Sequence, residues 1–414
     1  MLIWTLLFAC ETEEKIPSED TTPTFYTDAQ PIIEQHCVRC HSEAGQGVGD
    51  FTDPDTVIAM SDLIAAAISD NRMPPPVSDP DCRDYLDSDM LFMSQESKDI
   101  VIDWVDQGAK LGDPENALTY DRTKHTLPNA DLFVTLPEAY TPTYTDEDNP
   151  GNEYRCFAIP HGRTENFYIT ELHPIVDNPE MVHHIVLAKG TINGIIEGST
   201  DPQGVDCIDD GAFIDSFGEG GMLSGWAPGM SPIRFPEGAG LLVRSDEYIV
   251  MQMHYYQSPE SDQSSDQSGY MFTTTDSVEH TIQMLPLGFQ GFNIPAGDPE
   301  YVDGVEFNLP FNIKIWGVFP HMHVLGTGYS MTLPDENESD QCIVSSDGYD
   351  FNNQVSYIFD EPIEVEKDSP MRWACRWDNS SDNPYQMFEP PQNIGYGERT
   401  DEEMCYAFTL ASFN

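Results

Sequence analysis

The chain is 414 residues long and carries 18 basic against 72 acidic side chains, a formal charge of −54. A field of that sign repels phosphate, which excludes nucleic acid and anionic lipid surfaces as electrostatic partners. Hydrophobic residues make up 39% of the chain and aromatic residues 11%. They are spread over its whole length, so the acid excess reads as a solvated surface on folded units rather than as disorder, and the length predicts roughly two to three domains.

In chain order, the first ten residues are apolar up to Cys10, and a polar tether follows to residue 23. Leu7-Phe8-Ala9-Cys10 resembles the cleavage box of bacterial lipoproteins, whose cysteine is lipidated after export. The stretch lacks a basic n-region and its apolar run is short, a pattern that a misplaced start codon or a chance apolar N-terminus also produces. The expectation is an exported protein, periplasmic or at the cell surface, that touches a bacterial membrane only through a lipid at Cys10. No later segment approaches the roughly 18 apolar residues of a spanning helix.

Cys37-Val38-Arg39-Cys40-His41 forms a C-x-x-C-H motif. With nine cysteines and eleven histidines in the chain, chance would supply it about 0.005 times, so the motif carries weight. Two thiols at this spacing add across the two porphyrin vinyl groups, and the adjacent imidazole is then held under the iron. A zinc half-site or a redox pair is the rival, and no second Cys or His pair at zinc spacing follows nearby. The pattern predicts a short helix over Asp28–Gln35, a second over Asp55–Ile68, and a third that Ser94 caps and Gly108 stops, with Ile100, Val101, Trp104 and Val105 on one face. Together, residues 24–112 resemble a small all-α class I cytochrome c domain. That resemblance implies one covalent haem c on Cys37 and Cys40, with His41 as proximal ligand. Met73, in Arg72-Met73-Pro74-Pro75-Pro76, matches the family's sixth ligand. Met60, Met90 and Met93 are rivals that sit on or beside helix patterns, where a core methionine is the commoner explanation.

Residues 113–149, rich in Pro, Thr and Asp, read as a linker with an opening strand. From Tyr154 onward, short alternating segments broken by Gly, Pro and Asp predict β-structure, most clearly Asn166–Leu172 and Glu247–Tyr256. Two all-β sandwiches, 150–286 and 287–414, fit the remaining length. Three histidine clusters fall in this region: His183-His184, His254, and His321-Met322-His323. An H-H dipeptide alone is weak, since about 0.3 are expected by chance. His321 and His323 share a strand face and can chelate one ion, whereas His183 and His184 can do so only where a strand ends or bulges. Taken alone, His254 reads as a half-buried histidine with its hydrogen bonds satisfied.

The order H-H, Q-x-H-Y, H-x-H followed by L-G, then E-M-C, together with Tyr154-Arg155-Cys156, Gly225-Trp226-Ala227-Pro228 and Arg234-Phe235-Pro236, resembles the copper type II, ascorbate-dependent monooxygenases. These are the relatives of peptidylglycine α-hydroxylating monooxygenase and dopamine β-monooxygenase. The resemblance implies a multidomain protein in which two jelly-roll-like copper sandwiches follow the cytochrome. It implies two copper ions, one held by His183, His184 and His254 for electron transfer, the other by His321, His323 and Met404 where dioxygen is activated. It also implies disulfides Cys156–Cys207 and Cys375–Cys405, while Cys82 and Cys342 stay unassigned. Imidazoles with one soft thioether suit Cu(I); zinc has no use for Met404 and cannot cycle electrons.

The implied reaction inserts one oxygen atom from dioxygen into a C–H bond of a small organic substrate. Electrons would come from ascorbate or a redox protein, here a periplasmic donor acting through the haem. Gln252, two residues before His254, reads as a group supporting that histidine or as a polar residue of the cleft wall. Phe319, Tyr406 and Phe408 replace the arginine, asparagine and tyrosine that peptide hydroxylases carry at those places. A carboxylate-terminated peptide is therefore disfavoured against an apolar or aromatic small molecule. Two other classes remain: a non-catalytic exported electron-transfer cytochrome with copper-binding β-domains, and a zinc hydrolase, for which no general base is evident.

Overall fold

The computed structural model describes residues 22–43, 45, 47–145, 150–207, 221–257, 264–334 and 340–413. Cys10 and its apolar run lie outside the described residues. The N-terminal part is helical. A π turn, Phe25–Ala29, leads into the helix Gln30–His36, and Pro54–Ser69, Ser88–Leu91 and Gln95–Asp106 follow. Local chemistry sets their ends. Asp28 accepts hydrogen bonds from Thr24 N and Thr27 Oγ1 and holds the π turn, so the first α-helix begins at Gln30 rather than at the predicted Asp28. Asp53 accepts from the N–H groups of Asp55 and Thr56 with Pro54 in the first turn, and Ser94 accepts from Ser97 N. Gly108, at φ +93°, ends the last helix in a conformation that glycine adopts without strain. These helices bury Ile33, Val57, Ile64, Ile68, Val101 and Trp104 in one cluster with Phe25 and Phe51.

Two 3-10 turns, Pro114–Asn116 and Arg122–His125, follow, and from Leu132 onward the regular elements of the described residues are all strands. A nine-stranded sheet runs in the order Leu132–Thr135, Gly269–Thr275, Phe167–Ile175, Ala239–Val243, His280–Gly288, Tyr406–Phe413, Ile313–His321, Tyr357–Val365, with Ile233–Arg234 on the side of Phe167–Ile175. A five-stranded sheet orders Val205–Asp206, Asn152–Pro160, Glu247–Tyr256, Val182–Thr191 and Met222–Trp226. Its inner residues, among them Phe157, Ile185, Met251 and Met253, share a core with Ile169, Leu241 and Phe272 of the large sheet. A four-stranded sheet of Tyr301–Asn308, Pro370–Trp377, Gly326–Leu333 and Gln341–Ser346 forms the second core, where Met331, Trp373 and Trp377 meet Ile315, Val318 and Tyr357. The large sheet is continuous across position 286. His280–Gly288 pairs antiparallel with the C-terminal strand over Gln283–Gly288 and parallel with Ala239–Val243 over His280–Ile282.

The helical part is pinned to the C-terminal half. Cys82 and Cys342 form a disulfide, a pairing that the count of cysteines left open. Asp79 N donates to the Ser345 carbonyl and Ser78 N to the Tyr357 hydroxyl, while Tyr85 and Leu91 belong to the second core. Tyr85 and Leu91, with Val77 and Phe92 beside them, thus help to fill a β-sandwich core whose strands lie far along the sequence.

Candidate metal centres

His183 and His184 are successive residues of the strand Val182–Thr191, and His254 lies on the neighbouring Glu247–Tyr256. The register shifts between Val182 and His184, so the ladder bulges at His183, and His184 stands opposite His254. That bulge is what two adjacent histidines need to face one point. Their ring nitrogens converge: Nδ1 of His184 lies 3.2 Å from Nδ1 of His183 and 3.2 Å from Nδ1 of His254. Nε2–H of His254 donates to Asn152 Oδ1 at 2.8 Å, which leaves its Nδ1 lone pair directed at the cluster. Tyr154 stacks on the His254 ring at 4.1 Å. Burial pushes all three pKa values down, and the neighbouring imidazoles add to this for His184 and His254, so the three are neutral at pH 7. Three neutral imidazoles with converging lone pairs fit a metal ion, and all three belong to one cluster of ligand atoms within 4.8 Å of one another.

The second set is built differently. The strand Ile313–His321 ends at His321, so His323 lies past the strand rather than two places along it. The buried carboxylate of Glu403 makes the turn. Its oxygens accept from the N–H groups of His323 (2.9 Å), Leu325 (2.7 Å) and Met404 (3.2 Å) and from Trp377 Nε1 (3.0 Å). Burial raises the Glu403 carboxyl to about 7 against the pull of these donors. Nδ1–H of His321 donates to Gln354 Oε1 at 2.8 Å and Nδ1–H of His323 to the Glu402 carbonyl at 3.0 Å, so that each Nε2 keeps a lone pair with which it could bind a metal ion. The two rings are 5.2 Å apart and nearly perpendicular. Burial lowers both pKa values, that of His323 to about 3. Met404, 3% exposed, lines the same cleft. Two neutral imidazoles and one thioether suit a soft, redox-active ion such as Cu(I).

Both sets border a single cleft, of about 800 Å³ counted with its open mouth, lined by His184, His321, His323 and Met404. Phe319, Phe408 and Trp226 supply apolar wall, and Phe319 and Phe408 lie in offset contact at 6.1 Å. Gln252 is a wall residue, 7% exposed, whose amide lies 3.8 Å from Cys207 Sγ. Disulfides join Cys156 to Cys207 and Cys375 to Cys405. The second holds the residue after Met404 to the four-stranded sheet. Phe351 and Gln354, which no sequence motif marks, complete the surroundings of the histidines together with Glu403, which the E-M-C motif contains but to which the sequence reading gave no role.

In the helical part, Cys37 and Cys40 are free thiols, whereas the other six cysteines of the described residues are paired. His41 Nδ1–H donates to the Val48 carbonyl at 2.9 Å, leaving Nε2 available as a ligand, and its ring stacks on Phe51. Met73 is 40% exposed, at the head of a loop that runs onto the C-terminal half. Met90 is a core residue at 2% exposure, while Met60 and Met93 pack against the helical core.

Residues 142–262 match the family model of the copper type II ascorbate-dependent monooxygenase N-terminal domain. This segment holds His183, His184 and His254, and the match supports that family and copper-dependent monooxygenase chemistry in general. No curated protein matches the chain. Among solved structures, the VP2 subviral particle of infectious bursal disease virus is 10% identical over 71% of this chain and 77% of that one, with a TM-score of 0.19. A point mutant of the same viral protein is 10% identical over 71% and 74%, with a TM-score of 0.16. Scores this low carry no argument.

Proposed function

We propose that this chain hydroxylates a C–H bond of a small apolar or aromatic substrate with dioxygen, using two copper ions and electrons drawn through a c-type haem on its own helical part. The observation that carries the reading is the facing of two chemically distinct ligand sets, one of three imidazoles and one of two imidazoles and a thioether, across one apolar-walled cleft. Overall, one oxygen atom enters the substrate and the other leaves as water, with two electrons and two protons consumed.

Copper, when bound, supplies one-electron redox chemistry and the activation of dioxygen. His183, His184 and His254 would hold the ion that stores an electron; His321, His323 and Met404 would hold the ion that meets dioxygen. Asn152, Gln354 and the Glu402 carbonyl fix the tautomers of His254, His321 and His323, so each presents a lone pair without reorganisation. Phe319 and Phe408 give the substrate an apolar seat and thin the water around the reacting bond. No carboxylate-gripping arginine stands at position 319, which favours a neutral substrate.

For the haem, Cys37 and Cys40 would form the thioethers, His41 would bind the iron through Nε2, and Met73 would take the sixth position. The free thiols and the His41–Val48 bond fit that role. Isotopically labelled dioxygen tests the function. With a reductant and a panel of small aromatic and aliphatic compounds, the label is expected in a hydroxylated product and to vanish in Met404→Ala and His321→Ala. Oxygen uptake without labelled product, or product from both variants, would overturn the reading.

A further inference from the structure

One short segment of the C-terminal half touches three parts of the molecule. The Phe351 ring lies 5.7 Å from that of His183 and 5.9 Å from that of His323. Gln354 accepts from His321 Nδ1 and donates to the Phe351 carbonyl. Asn353, 8% exposed, accepts from Arg39 Nη2 at 3.4 Å and donates to the Pro76 carbonyl at 3.2 Å, in the loop that follows Met73. Arg39 is a central residue of the C-x-x-C-H motif, and its other nitrogen donates to the Gly229 carbonyl at 3.2 Å. Gly229, at φ +82°, packs its bare Cα on the sulfur of Cys40.

We propose that Asn353 and Gln354 form the port through which an electron passes from the haem to the copper of His321, His323 and Met404, ahead of the copper of His183, His184 and His254. This rests on the relay reading above. From Arg39, beside the thioether cysteine, the path crosses one hydrogen bond to Asn353, one peptide to Gln354 and one hydrogen bond to His321. The competing path leaves through the Gly229 carbonyl, runs three residues back to Trp226, crosses the ladder to Ile185 and continues to His184. It is longer. In the step, the haem iron loses one electron and the copper gains it; no proton moves, and an external one-electron reductant restores the haem. Arg39 and Asn353 are positioning residues.

The test is anaerobic stopped-flow reduction of the metal-loaded full chain with substoichiometric dithionite, following the haem absorption band and, by freeze-quench, the Cu(II) signal. His184→Ala, with copper only on the His321 side, is expected to reoxidise the haem as fast as the unaltered chain. His321→Ala, which removes that acceptor, is expected to remove the fast phase, and Asn353→Leu to slow it by roughly 10- to 100-fold, the scale on which small misplacements act. Asn353→Leu should leave the haem potential and copper content unchanged, and Arg39→Lys should restore more of the rate than Arg39→Ala. A fast phase kept in His321→Ala and lost in His184→Ala overturns the port, as does an unaltered rate in Asn353→Leu. A chain that takes up no haem or no copper overturns the relay reading and the port with it.

Discussion

Glu403 is the residue on which the His321 site hangs, and its replacement has a calculable cost. The side chain is 0% exposed and its two oxygens accept four hydrogen bonds, three from the backbone at His323, Leu325 and Met404 and one from Trp377. Glu403→Ala strands all four donors. A buried donor without a partner costs about 1–3 kcal/mol, so even at the low end the sum is about 4 kcal/mol. Glu403→Gln keeps an acceptor for the three donors now bound to Oε2 but turns an amide toward Leu325 N–H, at a cost of about 1–3 kcal/mol. Urea unfolding of both variants should rank the unaltered chain above Gln and Gln above Ala. Copper analysis should show Glu403→Ala retaining the ion of His183, His184 and His254 while losing the other, because His323 and Met404 both depend on this carboxylate for their backbone position. A Glu403→Ala chain within about 1 kcal/mol of the original that still binds both ions would refute the reasoning.

Further outcomes follow from other parts of the structure. Lys189 and Glu247 form a buried pair at 9% and 7% side-chain exposure; Glu247→Gln should cost about 3–5 kcal/mol in chemical denaturation, with Lys189→Met in the same chain recovering part of it. His36 is buried with its pKa lowered to about 4, chiefly by burial. It is neutral in folded and unfolded chains above pH 6.5, so stability should fall between about pH 6.5 and 4, by about 3 kcal/mol from this residue, and His36→Gln should flatten that part of the profile. Breaking Cys82–Cys342, which closes a separation of 260 residues, by a double serine replacement should cost about 2–5 kcal/mol and loosen residues 77–92 in hydrogen exchange. Phe319→Arg should weaken binding of neutral aromatic substrates, read as a raised KM, and improve that of carboxylate-bearing ones.

The residues of both candidate sites were singled out in the sequence by the order of motifs that carries the family resemblance; spacing alone marked only His321 and His323 as able to share an ion. The geometry that makes them work was less so. The H-H pair needed a bulge, and nothing in the alternation around Val182 marks where a ladder shifts by one residue. The H-x-H pair was expected on one strand face, but the strand stops at His321 because a carboxylate some 80 residues later captures the next amides. The pairing of Cys82 with Cys342 and the burial of Tyr85 and Leu91 under a distant sheet leave no periodic trace. Asn353 and Gln354 look like ordinary turn residues until the Arg39 and His321 bonds are seen.

Metal content per chain, by mass spectrometry and pyridine haemochrome on protein exported in a host that matures c-type cytochromes, separates the readings. One haem with two coppers is expected, falling to one copper in Met404→Ala or His321→Ala and to the other single copper in His184→Ala. One haem with no copper, or zinc at both sites, would contradict the hydroxylase and leave an electron-transfer or binding protein.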